Sequence, residues 1–141
     1  MRTLLLRLLF AVYLVAVGVL VWSPAPDDVE QTGILAAVAR WVAQFGLPFE
    51  ATWTVLEVVG NVVLFVPFGV LAMTAFREMR VWSTAAAGLA TSGIIEGVQL
   101  FLPTRFSTVS DLVANTAGAL VGALAVALWR RRVSAAERRP S

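Results

Sequence analysis

Apolar and polar positions form long alternating blocks along this 141-residue chain, and four apolar blocks are long enough to cross a bilayer. At 1.5 Å per residue, about 20 residues cross a hydrocarbon core of ~30 Å. The predicted spans are residues 4–22, 55–76, 82–102 and 109–129. The first block also suits a signal peptide, but its apolar run exceeds the usual ~7–15 residues and Pro24 and Pro26 crowd the cleavage site. We therefore expect a retained helix.

A shorter amphipathic segment, residues 32–45, lies between the first two spans. Its apolar side chains recur at helical spacing and are Ile34, Leu35, Val38, Trp41, Val42 and Phe45. Gly46 and Pro48 are expected to end the helix. Because it is too short to span, we predict that it lies in the membrane interface on the extracytoplasmic side. A lid over a functional site is the alternative.

The arginines predict the orientation. If four spans alternate, Arg40 and Arg105 fall on one side and the other nine arginines fall on the opposite side. The positive-inside rule then places both termini in the cytoplasm. The predicted fold is an all-α membrane protein with four transmembrane helices and one extracytoplasmic amphipathic helix. A single domain covers residues 1–133, and residues 134–141 are expected to form a disordered cytoplasmic tail.

Composition narrows the chemistry. The chain is 59% hydrophobic and 14% charged, whereas soluble domains are about a quarter charged. It has no Cys and no His, which removes thiol nucleophiles, disulfides, Cys or His metal ligands and the commonest general base. The arginines cluster at the chain ends, so they indicate topology and lipid headgroups and not nucleic acid. Acid–base chemistry would have to use carboxylates.

Polar side chains at membrane depth concentrate in one leaflet of the predicted topology. They are Glu57, Asn61, Glu96, Gln99, Arg105, Asp111 and Asn115. The two in each span are three or four residues apart and share one helix face. With alternating spans they lie roughly 3–10 Å below the outer interface, Asn61 slightly deeper. Because ionisable side chains at this depth are costly and usually functional, the sequence predicts a polar pocket that opens toward the outer leaflet with Arg105 at its mouth.

The same residues suggest chemistry on a phosphate-bearing headgroup. Glu96, Asp111 and Glu57 are the candidate catalytic acids and bases. A guanidinium such as that of Arg105 suits a phosphate or carboxylate, and Asn61, Gln99 and Asn115 are the other candidate substrate-binding residues. A carboxylate pair could hold a divalent cation, but no spacing specifies one, so no metal ligand is predicted and the cofactor is left open.

Each residue also has a structural alternative. Asp111 could be the N3 partner of Thr108 in a capping box, and Glu57 lies near a helix start. Arg105 could be an interface anchor. Asn61 and Asn115 could form interhelical hydrogen bonds. Glu96, inside a span and far from a helix N-terminus, is the hardest to explain structurally.

Three ordered blocks resemble the VanZ-like family. They begin at Asn61 (NVVLFVPFG), Glu96 (EGVQ) and Arg105 (RFSTVSDLVANTAG). The resemblance runs from about Val55 to Trp129. The family-motif positions are Asn61, Glu96, Gln99, Arg105, Asp111 and Asn115, whereas Glu57 is added from its spacing alone.

This resemblance implies a small multi-pass protein of the bacterial cytoplasmic membrane. The family's namesake is associated with low-level resistance to the glycopeptide teicoplanin. Comparative arguments suggest enzymes that act on lipid headgroups or lipid-linked wall precursors, so such lipids are the expected partners. Catalysis is left open, as is self-association through helices. A non-catalytic scaffold whose polar residues join helices is the alternative, and a transporter is least favoured because the polar residues stop in the outer half.

Overall fold

The computed structural model describes residues 1–23, 33–102 and 108–137, and every regular element in these ranges is helical. The helices are α1 (Arg2–Trp22), α2 (Ile34–Ala43), α3 (Phe49–Ala75), α4 (Val81–Gln99) and α5 (Val109–Glu137). The all-α prediction is confirmed. By length and composition α1, α3 and α5 could each cross a membrane. The 19-residue α4 is long enough but is rich in Ala, Gly, Ser and Thr, which makes it less apolar.

Helix boundaries differ most from the prediction at the start of α3 and the end of α5. Pro48 is the N-cap of α3, so this helix begins at Phe49, six residues before the predicted start at 55. The last helix continues through Glu137, beyond the predicted end at 129. Residues 134–137 are therefore helical where a disordered tail was predicted, because Ala and Glu favour helix even outside an apolar stretch. Residues 138–141 lie outside the described ranges.

The predicted amphipathic helix is present as α2. It ends near Gly46, whose φ of 88° lies in the left-handed region that glycine adopts readily. Ala36 and Ala39 are buried against Trp53 of α3. The proline-rich segment 24–32 lies outside the described residues.

The four long helices alternate in direction. Arg7 near the start of α1 reaches Ala75 at the end of α3, whereas Val21 near the end of α1 meets Gln99 at the end of α4. Along α3 and α5 the contacts advance together, from Val62 with Gly118 to Val66 with Gly122. Thus α1 and α4 run one way, and α3 and α5 run the other way.

The closest packing joins α3 and α5 through glycines. A Cβ atom on Gly118 would overlap the carbonyl oxygen of Val62, and one on Gly122 would overlap that of Val66. Gly69 of α3 approaches the backbone of Ala119 in the same way. Small residues let helix backbones approach closely in membranes, and this contact holds α3 beside the start of α5.

The first helix holds α3 at its internal proline. Pro67 has no N–H to donate to the Val63 carbonyl. Next to this position the Tyr13 hydroxyl donates a 2.7 Å hydrogen bond to the Leu64 carbonyl oxygen. A side chain of α1 therefore bonds to the α3 backbone one residue after the carbonyl that the proline leaves without its helical donor.

Two arginines cap the C-terminal end of α3. Arg7 donates through Nε to the Ala75 carbonyl at 3.4 Å and lies over the Phe76 ring, 5.1 Å from its centroid. Arg130 of α5 donates to the Met73 carbonyl. The last carbonyls of a helix lack intrahelical donors and carry partial negative charge, so these guanidinium groups both satisfy and neutralise them.

Candidate functional site

Helices α3, α4 and α5 meet through a group of polar side chains that we call the polar cluster. Its members are Asn61, Ser92, Glu96, Thr108, Asp111 and Asn115. Three hydrogen bonds within it join separate helices. It lies toward the ends of α3, α4 and α5 that are opposite to the Arg7 and Arg130 caps.

Glu96 is a carboxylate in the last turn of α4 that is only 9% exposed. Its Oε2 accepts a 3.1 Å hydrogen bond from the backbone N–H of Thr108 at the start of α5. Thr84, Gly88 and Ser92 precede it at four-residue intervals, and all are buried. This small-residue face lets α4 approach α5. Glu96 lies on the same face and reaches the N-terminus of α5, where the helix dipole favours an anion.

Asp111 does not complete a capping box with Thr108. Its backbone N–H bonds to the Thr108 hydroxyl at 3.2 Å, which is the first half of the box. The second half would be a bond from the Thr108 N–H to the Asp111 carboxylate, but that N–H points to Glu96. The Asp111 Oδ1 instead accepts from the amide of Asn61. Asp111 therefore has both the local capping position and an interhelical contact.

Asn115 is the most deeply buried amide of the cluster, at 3% exposed. Its Nδ2 donates to Ser92 Oγ at 2.9 Å. Its Oδ1 is buried and has no hydrogen-bond partner in the described part of the chain. Most buried polar atoms in proteins have a partner, and an exception needs an explanation. This oxygen is one helical turn from Asp111 and can accept a hydrogen bond from water or a ligand.

The other three predicted site residues are not among those that define the polar cluster. Gln99 is buried, but its Nε2 donates to the Val21 carbonyl at 3.0 Å, so its amide nitrogen joins α4 to α1 and not to α5. Glu57 is exposed and lies one turn before Asn61 on α3. Arg105 lies outside the described residues.

Sequence reasoning missed Ser92 and Thr108 as members of the cluster. Ser92 was grouped with the small packing residues of α4, and Thr108 was considered only as a local cap. The signal for Ser92 was its place four residues before Glu96 on the same face. Thr84 extends the same face toward the start of α4. It is 0% exposed, and its buried hydroxyl also has no partner among the described residues.

The cluster can exchange protons and can both donate and accept hydrogen bonds. Its carboxylates come from two helices, its amides from α3 and α5, and its hydroxyls from α4 and the start of α5. Within the ranges that the structure describes, no group of three or more Asp, Glu, His or Cys is placed to hold a metal ion.

The helical fold and its long apolar helices define a membrane protein. The VanZ/LLP1 family matches residues 10–130, and the chain belongs to that family. The resemblance stated from the three motif blocks is thereby confirmed. Over 75 residues the chain is 32% identical to Protein VanZ of Enterococcus faecium, covering 53% of this chain and 47% of that protein. The chain thus spans about half the length of this curated relative. No solved structure matches the chain.

Proposed function

We propose that the protein binds or modifies a phosphate-bearing lipid headgroup or a lipid-linked wall precursor at the polar cluster. In this proposal four helices cross the bacterial cytoplasmic membrane, with both termini in the cytoplasm, and the cluster opens toward the outer leaflet. The alternating helix directions and the nine arginines assigned to one side support this topology.

The observation that carries the proposal is the burial of Glu96 at the junction of α4 and α5. A carboxylate inside an apolar helix is costly and is usually kept for function. The Thr108 N–H that it contacts belongs to the residue directly after segment 103–107, which contains Arg105. A buried acid therefore contacts the residue that directly follows the segment carrying the proposed phosphate-binding guanidinium.

Each residue has a defined role in this proposal. Glu96 and Asp111 exchange protons with the bound group, and Arg105 binds its phosphate. The Asn115 Oδ1, which lacks a partner among the described residues, accepts a hydrogen bond from a ligand hydroxyl, amide or water. Glu57 supplies a third carboxylate one turn from Asn61. Gln99 fixes α1 against α4 beside the site.

A non-catalytic scaffold is the second candidate, and one observation favours it. Asn61, Glu96 and Asn115 all make hydrogen bonds to another helix or to its N-cap. Such bonds stabilise membrane bundles by about 0.6 kcal/mol each. If stabilisation were their whole purpose, removing them would lower the stability of the bundle without a separate loss of function.

The test is lipid and wall-precursor profiling of cells that lack the protein or carry Glu96→Gln or Arg105→Ala. The matched control is Gly97→Ala, because this position is adjacent to Glu96 and a new Cβ there meets nothing within 4 Å. Teicoplanin susceptibility of the same strains examines a link to glycopeptide resistance.

We expect both site variants to reproduce the profile of the deletion while the purified proteins keep the thermal stability of the parent. The control should restore the parental profile. An unchanged lipid profile in both site variants would reject the proposal. A loss of stability that accounts for the loss of function would favour the scaffold.

A further inference from the structure

Helix α2 has two opposite apolar faces of different size. Ala36, Ala39 and Ala43 follow each other at spacings of three and four residues along one face. Ile34, Val38, Trp41 and Phe45 follow the same spacing along the other side, and we call these four residues the outer stripe. At about 100° per residue the two rows lie on opposite sides of the helix.

The small face is the one that contacts the rest of the protein. Ala36 and Ala39 are completely buried, and they pack with Trp53, Phe49 and Leu56 of α3. Small side chains allow this close contact, and it fixes α2 beside the first two turns of α3.

The outer stripe faces away from the protein. Ile34 is 83% exposed, Phe45 71% and Trp41 60%, and the rings of Trp41 and Phe45 pack edge to face, 5.1 Å apart. These fractions match those of large side chains on the outside of α1, where Leu5 is 67% exposed. A soluble surface rarely carries a continuous apolar patch of this kind.

The position of α2 in the chain indicates what covers the stripe. Two helices apolar enough to cross a membrane, α1 and α3, flank it, and Gly46 to Pro48 connect it directly to α3. Within two turns of Trp53, α3 itself exposes Val55 and Val59. The apolar outer surface of α3 therefore begins at the level where α2 is seated. Arg40 and Gln44 lie together on one side of α2, between the stripe and the alanine face, and a polar or basic side is typical of helices that lie in a membrane interface.

We propose that the outer stripe of α2 inserts into the bilayer at the boundary where α3 begins, so that lipid headgroups and upper acyl chains cover Ile34, Val38, Trp41 and Phe45. Trp is enriched at membrane interfaces, and Phe is common on the apolar face of helices that lie in the interface. The protein then holds α2 from one side through alanines and the membrane holds it from the other. The interaction surface is independent of any reaction at the polar cluster.

The test uses single cysteines, because the natural chain contains none. Ile34→Cys, Trp41→Cys and Phe45→Cys report the stripe. Gln44→Cys, at the C-cap of α2 and off the stripe, is the exposed control. Each full-length protein is spin-labelled and reconstituted into phosphatidylglycerol–phosphatidylethanolamine vesicles. Collision rates with oxygen, which partitions into lipid, and with a water-soluble nickel chelate are compared. Val15→Cys on the exposed face of α1 is the lipid reference.

We expect a several-fold higher ratio of oxygen to nickel accessibility at the stripe positions than at Gln44, approaching the ratio at Val15. High nickel accessibility at all stripe positions would overturn the proposal, as would spin–spin broadening between labels on different molecules, which would indicate a second copy on the stripe. Quenching of Trp41 by brominated lipids, in a protein whose other four tryptophans are Phe, provides an independent measurement without a label. Absence of quenching would also count against insertion.

Discussion

At the residue scale, the N-terminus of α5 keeps one local capping bond, from the Asp111 N–H to the Thr108 hydroxyl, and replaces the other with bonds to neighbouring helices. The Thr108 N–H bonds to Glu96 of α4, and the Asp111 carboxylate bonds to Asn61 of α3. One helix start thus ties two neighbouring helices together. This arrangement gives Asp111 an energetic connection to Asn61 that local capping alone would not produce.

A double-mutant cycle between Asn61 and Asp111 measures that connection. We expect Asn61→Ala and Asp111→Ala to show a coupling free energy of unfolding of about 0.6 kcal/mol and at most about 1.7 kcal/mol, as found for interhelical bonds in membranes. Unfolding is followed in detergent by circular dichroism. Thr116→Ala serves as the control partner, because its hydroxyl bonds within α5 to the Leu112 carbonyl, and its coupling to Asn61 should be close to zero. Equal coupling in both pairs would contradict the assigned contact.

The residue scale also shows what sequence could and could not specify. Spacing predicted that Asp111 and Asn115 share a face of α5, and both do contribute to the cluster. Spacing could not reveal that the partners would be Asn61 and Ser92, because partner choice depends on the rotation of each helix about its axis. The four-residue spacing of Gly118 and Gly122 marks a close-packing face of α5, but it does not specify which residues of α3 that face meets.

At the element scale, the contact between α3 and α5 depends on backbone proximity. We expect Gly122→Ala to destabilise the bundle by about 1–3 kcal/mol, because the new methyl group overlaps the Val66 carbonyl and forces the helices apart. Gly60→Ala on α3 is the matched control, since a Cβ there meets nothing within 4 Å. The control should be neutral or slightly stabilising, since Ala favours helix over Gly. Similar stability losses in both variants, measured by thermal unfolding in detergent, would rule out the proposed packing effect.

The contact of α1 with α3 at Pro67 gives a second prediction at this scale. Tyr13→Phe keeps the ring but removes the hydroxyl that bonds to the Leu64 carbonyl, so we expect a loss of about 0.5–1.5 kcal/mol. Pro67→Ala returns an intrahelical donor to the Val63 carbonyl and not to that of Leu64, so the same substitution should cost about the same in a Pro67→Ala background. Chemical unfolding of the four proteins measures both costs. A clearly smaller cost in the Pro67→Ala background would contradict this expectation, because it would show that the Tyr13 bond compensates for the proline.

At the scale of the whole molecule, hydrophobic blocks were enough to predict the five helices of residues 1–23, 33–102 and 108–137 and their order. The hydrophobic blocks predicted the helix ends less well. Residues 49–54 follow Pro48 and were predicted as loop, but they form the first turns of α3 and pack against α2. They predicted a span at residues 82–102, but α4 is not among the three described helices apolar enough to cross a membrane. The small and polar residues that suit its close contacts with α5 lower its hydropathy. Whether α4 crosses the membrane is thus the point on which the topology depends.

Cysteine accessibility at the two ends of α4 tests that crossing. Glu78→Cys lies in the turn before α4 and Phe101→Cys directly after it, and both positions are exposed. If α4 crosses the membrane, a membrane-impermeant maleimide added to intact cells should label Phe101→Cys and spare Glu78→Cys until the cells are permeabilised. Gln44→Cys, on the same side as Phe101 in the proposed topology, should label from outside, and the parent should remain unlabelled because it has no Cys.

Labelling of both ends of α4 from the same side would mean that this helix does not cross. That result would be hard to reconcile with the helix contacts. Ser92 and Glu96 of α4 bond to Asn115 and Thr108, so α4 runs antiparallel alongside α5. Because α5 is apolar enough to cross the membrane, a helix packed along it in this way should cross as well.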